Sequence, residues 1–145
     1  MYKSSIGDHY FLRSKDPMNA FLEMVSMDIK EVTEYCLSKP NAFIDYPFGP
    51  EPAVIKVGSR IFAFIHIMNK KLYISLKCDP FISQTLRQQY AAVIPGYHLN
   101  KKHWNTVTID GSVPDNELIW MIDHSYELVY KRLSKADRAK LNNAG

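Results

Sequence analysis

The segment Ala53–Lys77 constrains the fold more than any other part of this sequence. It reads as three strands, Ala53–Val57, Arg60–Met68 and Lys71–Lys77, joined by connections too short for a parallel crossover. Gly58-Ser59 is a two-residue hairpin loop of the glycine-first kind, and Lys70 and Lys71 mark the next tip. Such a loop places Val57 opposite Arg60 and Ile55 opposite Phe62. One face then collects Ile55, Arg60, Phe62, Phe64 and His66. The other collects Val54, Lys56, Ile61, Ala63, Ile65 and Ile67. Both faces are largely apolar, which predicts a central strand covered on both sides. Lys71–Lys77 alternates, with Leu72, Ile74 and Leu76 on one side and Tyr73 and Ser75 on the other.

Helical signals flank this core. Asp28 precedes an apolar stripe of Ile29, Val32, Tyr35 and Cys36, Glu31 stands three residues on, and Pro40 lies beyond, predicting a helix over Asp28–Ser38. Asp79-Pro80 starts a second helix with Ile82, Leu86 and Tyr90 inward. Trp104–Ile109 alternates again as a last strand. Ser112-Val113-Pro114-Asp115 opens a long helix carrying Leu118, Ile122, Tyr126, Val129 and Leu133. Tyr46–Pro50 is rich in turn residues, and Val93–Asn105 reads as irregular. The order predicts an α+β domain, a mainly antiparallel sheet with helices packed on it. Its expected bounds are 27–133. Residues 1–26 form an N-terminal extension in which Phe11, Met18, Phe21, Leu22 and Val25 suggest a short helix or strap. Residues 134–145 are a polar tail expected to fray.

A chain of 145 residues with 46% hydrophobic residues can bury a core as one domain. Its two cysteines, Cys36 and Cys78, make neither a disulfide framework nor a zinc site, and both read as reduced core thiols. No run approaches the ~20 apolar residues of a membrane span. The first residues lack the basic start and apolar run of a secretory signal, so the expected location is the cytoplasm.

The net charge of +3 conceals an uneven distribution. Residues 52–109 carry Lys56, Arg60, Lys70, Lys71, Lys77, Arg87, Lys101 and Lys102 against a single acid, Asp79. A basic segment is the footprint of a protein that meets phosphates, although lysines on strand edges also deter aggregation. The densest polar-aromatic stretch, Gly96–Thr106, offers Lys101 and Lys102, His98 and His103, Asn100 and Asn105, Tyr97 and Trp104, and no acid. Lysines neutralise phosphate, aromatic rings stack on bases and amides read base edges. Equally, Trp104 can be a core aromatic, with His98 and Asn100 satisfying backbone groups in an irregular loop.

Nothing in the residues points to catalysis. There is no glycine-rich phosphate loop and no nucleophile elbow. Asp123 and His124 are neighbours on a helix and point about 100° apart. The spacing of His98 and His103 is not that of a helical metal pair, and no metal or other cofactor is expected.

Several segments together carry a family resemblance. They are Asp45–Gly49, Lys56–Ala63, Leu76–Pro80, Pro95–Val107, Asp110–Asp115 and Ile122–Tyr126, in that order. They closely resemble the MmcQ/YjbR family over about residues 27–133. The resemblance implies a compact α+β fold shared with the CyaY/frataxin group, and the family's usual description, a DNA-binding protein with two wing-like hairpins. The iron chemistry of the frataxin group relies on an acidic surface and does not transfer to a chain whose middle is basic. Residues 1–26 depart from the family pattern.

The leading expectation is a sequence-tolerant DNA-binding module. Arg60, Lys70, Lys71, Lys101 and Lys102 would contact phosphates, and His103 and Trp104, with Tyr97, would add stacking contacts. The alternatives are a small-molecule or anion site at Tyr97, His98, Asn100 and Trp104, and a protein-interaction module using the extension or a sheet edge. A deep cleft at the loop favours the small-molecule site; a flat basic surface favours DNA.

Overall fold

The protein is described from a computed structural model. It covers Pro17 and residues 26–144. The expected strap of Phe11, Met18, Phe21, Leu22 and Val25 lies outside the described residues. In chain order the elements are α1 (Ile29–Leu37), β1 (Ala42–Asp45), β2 (Ala53–Val57), β3 (Arg60–Met68), β4 (Lys71–Lys77), α2 (Pro80–Gln89), β5 (Val93–Pro95), β6 (Trp104–Thr108), α3 (Asp115–Lys131) and α4 (Lys135–Ala144). The strands form one sheet in the order β1-β2-β3-β4-β6-β5, and every pairing is antiparallel. The expected α+β architecture is thus the one observed.

Local signals explain most boundaries. The Asp28 side chain accepts the Glu31 N–H at 2.8 Å and the Glu31 side chain accepts the Asp28 N–H at 3.1 Å, a complete capping box on α1. Asp79 caps α2 with Pro80 in its first turn. Asn69 and Lys70, at φ 51° and 65°, turn β3 into β4 in the left-handed pair of a tight hairpin.

Six expectations from the sequence change. Ile55 pairs with Ala63, not Phe62, because Phe62 is an extra residue between the pairs Ile55–Ala63 and Lys56–Ile61. This bulge turns Phe62 onto the helical side, where its ring meets Tyr126 edge-on at 5.3 Å. Second, among the described residues α1 and α3 pack on one face of β3, whereas Phe64 and His66 line a cleft on the other. Third, β1 lies in a stretch before Tyr46–Pro50 for which no element is expected, and β5 lies in the stretch read as irregular; both are too short to show a period. Fourth, Ser112 does not cap α3. Its N–H and hydroxyl donate to Asp110 instead, and Pro114 precedes the helix without a side-chain cap. Fifth, the polar tail folds as α4, started by the Ser134 hydroxyl accepting the Asp137 N–H and with Leu141 against the core. The last strand also stops at Thr108.

α3 organises the core through four consecutive side chains. Asp123 accepts hydrogen bonds from Tyr35 at 2.6 Å and Lys39 at 2.9 Å, tying α3 to α1. The His124 Nε2 accepts the Asp79 N–H at 3.2 Å at the entry to α2. The Ser125 hydroxyl donates to the Phe62 carbonyl at 2.6 Å and accepts the Lys77 N–H at 2.9 Å. Tyr126 donates to the Pro40 carbonyl at 2.8 Å. The β3–β4 ladder ends at Ala63–Leu76, so the next rung would join Phe62 to Lys77. Ser125, fully buried, supplies that rung from outside the sheet.

Two predictions follow from this wiring. Ser125→Ala leaves a buried carbonyl and a largely buried N–H without partners, and its cost in urea unfolding is about 2–4 kcal/mol. The second concerns pH. Burial lowers the pKa of both His66 and His124, against a smaller opposing pull from Glu51 on the first and Asp79 on the second. The folded chain therefore binds these protons less readily than the unfolded chain, whose histidines titrate near ~6.5. The stabilisation is whole above that value and is lost as pH falls through the lower folded pKa values. Urea midpoints should drop between about pH 7.5 and 5, and H66Q/H124Q should flatten that dependence.

Candidate functional site

The face of the sheet opposite the helices carries a cleft of about 430 Å³. Phe64 and His66 of β3 and Ser75 of β4 form its floor, Phe64 lying opposite Ser75 in the ladder. Phe48, Glu51 and Pro52 of the β1–β2 connection form one wall, and Tyr97, His98 and Leu99 of the β5–β6 connection form the other. Ile67 and Met68 complete it.

Hydrogen bonds from the body of the domain hold both walls. On the first, Glu51 Oε1 accepts the Ile67 N–H at 3.1 Å, and the Glu51–Pro52 bond is cis. On the second, Gly96 donates to the Trp104 carbonyl at 2.8 Å; a Cβ at Gly96 would stand 2.8 Å from the Trp104 Cβ, so only glycine permits this approach. The Tyr97 N–H donates to Thr106 Oγ1 at 2.9 Å, and that hydroxyl shares a 2.7 Å bond with Ser75. Arg87 donates from Nε to the Asn105 side chain at 2.7 Å and from Nη2 to the Lys101 carbonyl at 2.6 Å. The loop is therefore braced from both ends. Beside the floor, on the same face of the sheet, Trp104 meets Phe64 edge-on at 5.4 Å.

The polar groups in the cleft are few. His66 stacks on Tyr73 at 5.5 Å, and burial favours its neutral form. His98 has φ 57° and lies against Tyr97 with ring centres 4.0 Å apart. Among the described lining residues, Glu51 carries the formal charge. Among the described residues, no three His, Cys, Asp or Glu side chains gather closely enough to share a metal ion. Burial pushes the Cys36 thiol up to about 12 and also raises Cys78, so neither is a thiolate nucleophile near neutral pH. Asp123 and His124 diverge to different partners, as their helical neighbourhood predicts.

The residues singled out in the sequence divide into groups. Tyr97 and His98 line the cleft. Asn100 staples the loop instead: its Oδ1 accepts the Lys102 N–H and its carbonyl accepts the N–H groups of His103 and Trp104. The His103 carbonyl accepts the Cys78 N–H, and half-buried Trp104 packs against Phe64. Lys101 donates to the Gly96 carbonyl at 2.9 Å. Arg60 and the Lys70–Lys71 turn stand at opposite ends of β3, about 26 Å apart along a strand rising ~3.3 Å per residue. Arg60 shares its end of the sheet with Lys77, whose partner in β6 is Trp104, and with the Lys101–Lys102 loop. Burial, then Arg132 and Arg60, lowers the Lys77 pKa, so those three cations feel one another.

Phe48, Glu51, Phe64, His66 and Ser75 were not picked out as site residues from the sequence. The available signal was a second, partly aromatic face on β3 in a chain with few helices to cover it.

Comparisons with known proteins agree with this architecture. The YjbR family model matches residues 37–128. The uncharacterised protein YjbR of Escherichia coli K12 is 36% identical over 115 residues, covering 79% of this chain and 98% of that protein. The uncharacterised protein YbdF of Escherichia coli O157:H7 is 36% identical over 105 residues, covering 72% and 86%. A crystal structure of a Deinococcus radiodurans protein with a DUF419 domain superposes with a TM-score of 0.73 at 40% identity, covering 79% of this chain and 87% of that one. A Pseudomonas syringae crystal structure gives a TM-score of 0.64 at 26% identity, covering 71% and 99%. With the six-stranded antiparallel sheet, these matches show that the chain belongs to the YjbR family.

Proposed function

We propose that this chain is a small-molecule-binding module whose ligand occupies the cleft on the open face of the sheet. The observation that carries this reading is a cleft of about 430 Å³ with a sheet floor and hydrogen-bonded walls. Ligand pockets span roughly 300–1,000 Å³, with apolar walls and a few placed polar groups. Phe48, Phe64, Leu99 and Met68 supply the apolar contact, and His66, His98, Ser75 and Glu51 the polar points. A braced loop loses little freedom on binding, which favours affinity. Apolar walls with a few fixed polar points are what supports the binding reading.

A fragment screen by protein-observed NMR tests it. Hits should shift the signals of Phe64, His66, Ser75, Tyr97 and His98 together and saturate. Phe48 is 64% exposed, so Phe48→Ala should leave the thermal midpoint nearly unchanged while weakening hits about fivefold, through lost contact area. A screen in which no fragment perturbs this group of signals would end the proposal.

One observation favours a second reading, DNA contact at one end of the sheet. Arg60, Lys77, Arg132 and Lys102 lie toward that end, and no carboxylate among the described residues pairs with them. Lys70 and Lys71, at the far end, would take no part. Fluorescence anisotropy with a labelled duplex should then show affinity falling by about 0.9 log units per phosphate contact for each tenfold rise in salt. R60E/K102E should abolish binding and K70E/K71E should not. Absence of binding at low salt removes this reading and leaves the cleft unaffected.

A further inference from the structure

We infer that the cleft selects an organic cation with an apolar body, such as an aromatic or alkylated amine, over neutral and anionic molecules of the same shape. This inference rests on the cleft being a ligand site, as proposed above, and adds the charge of the ligand.

The argument begins with the charge of the lining. The chain is net positive, and residues 52–109 hold eight bases against one acid. Yet among the described residues no lysine or arginine lines the cleft, and the charged residue there is the acid Glu51. The nearby bases are turned to other uses or stand outside. Lys56 pairs with Asp45 at 3.5 Å and lies over the Phe43 ring. Lys101 is bonded to the Gly96 carbonyl. Lys71 sits opposite the lining residue Met68 at the hairpin end and is exposed to solvent. An anionic ligand would meet a carboxylate with no cation among the described lining residues to compensate, and like charges brought together repel.

The rings supply the second half. Phe48 and Tyr97 stand on opposite walls and Phe64 on the floor. The face of an aromatic ring is the negative end of its quadrupole, so a cation enclosed by rings is attracted without losing apolar contact. Glu51 is fixed at the first wall by the bond from the Ile67 N–H to Oε1, while Oε2 has no hydrogen bond among the described residues. One oxygen therefore positions the carboxylate at the wall, and its charge is available to a positive group in the cleft. Burial keeps the His66 imidazole neutral near pH 7, so it does not compete as a cation.

The test compares three benzyl probes by titration calorimetry on the full chain: benzyltrimethylammonium, its neutral carbon isostere neopentylbenzene, and the smaller anion phenylacetate. The ammonium should bind about tenfold more tightly than either of the others, the scale expected of combined ring and carboxylate contacts. Glu51→Gln keeps an oxygen for the Ile67 N–H but removes the charge, and should cut the ammonium's affinity severalfold while leaving neopentylbenzene unchanged. NMR shifts at Phe64, His66 and Tyr97 confirm where each probe sits. Equal binding of all three, or tighter binding of phenylacetate, overturns the inference and leaves the cleft as a ligand site. If none of the three binds and the fragment screen also finds no ligand there, both fall.

Discussion

A single hydroxyl holds the arrangement together. Ser125 Oγ stands between the Phe62 carbonyl and the Lys77 N–H, where the β3–β4 ladder would otherwise have its next rung. A bulge leaves ladder groups unpaired, and an unpaired buried backbone group is costly. The hydroxyl satisfies both groups from the helix above, so the bulge persists at little cost. Its consequence is geometric. Phe62 turns into the core against Tyr126, while Phe64 and His66 remain on the opposite face of the same strand. One apolar strand thus serves two surfaces.

The four residues Asp123 to Tyr126 carry part of the family resemblance, and each reaches a different neighbour of α3. They act as the scaffold's fastening. The Pro95–Val107 stretch does similar work on the other side, where Gly96, Asn100, Lys101 and Thr106 make bonds that shape the loop. Rigid elements with functional side chains displayed on braced connections are a common division of labour. Here the helices stabilise one face and leave the other to hold the cleft.

Charge is separated along the same lines. Lysines stand at the two ends of the sheet, Lys70 and Lys71 at one, Lys77 and Lys102 at the other, while the cleft between the wall loops carries a carboxylate. A sum over residues 52–109 reads as one basic block, yet strand length spreads it over two sites about 26 Å apart. Net charge in sequence and field in space are different quantities, because a hairpin sends neighbouring charges to opposite ends of a strand.

The α+β class, the caps of α1 and α2, the β2–β3–β4 meander and the buried thiols were determined by the sequence alone. Each depends on residues close together in the chain: alternation over a few positions, an acid at a helix start, a glycine in a turn. The strands β1 and β5 and the helix α4 left too short or too polar a pattern to show. The tertiary structure alone decided the Ile55–Ala63 register, because the bulge that sets it is completed by a serine far along the chain. It also decided the cleft, which exists because two connections close over one face of the sheet. Local preference reaches only a few residues, whereas a bulge braced by a distant helix and a pocket between two loops are properties of contacts across the whole fold.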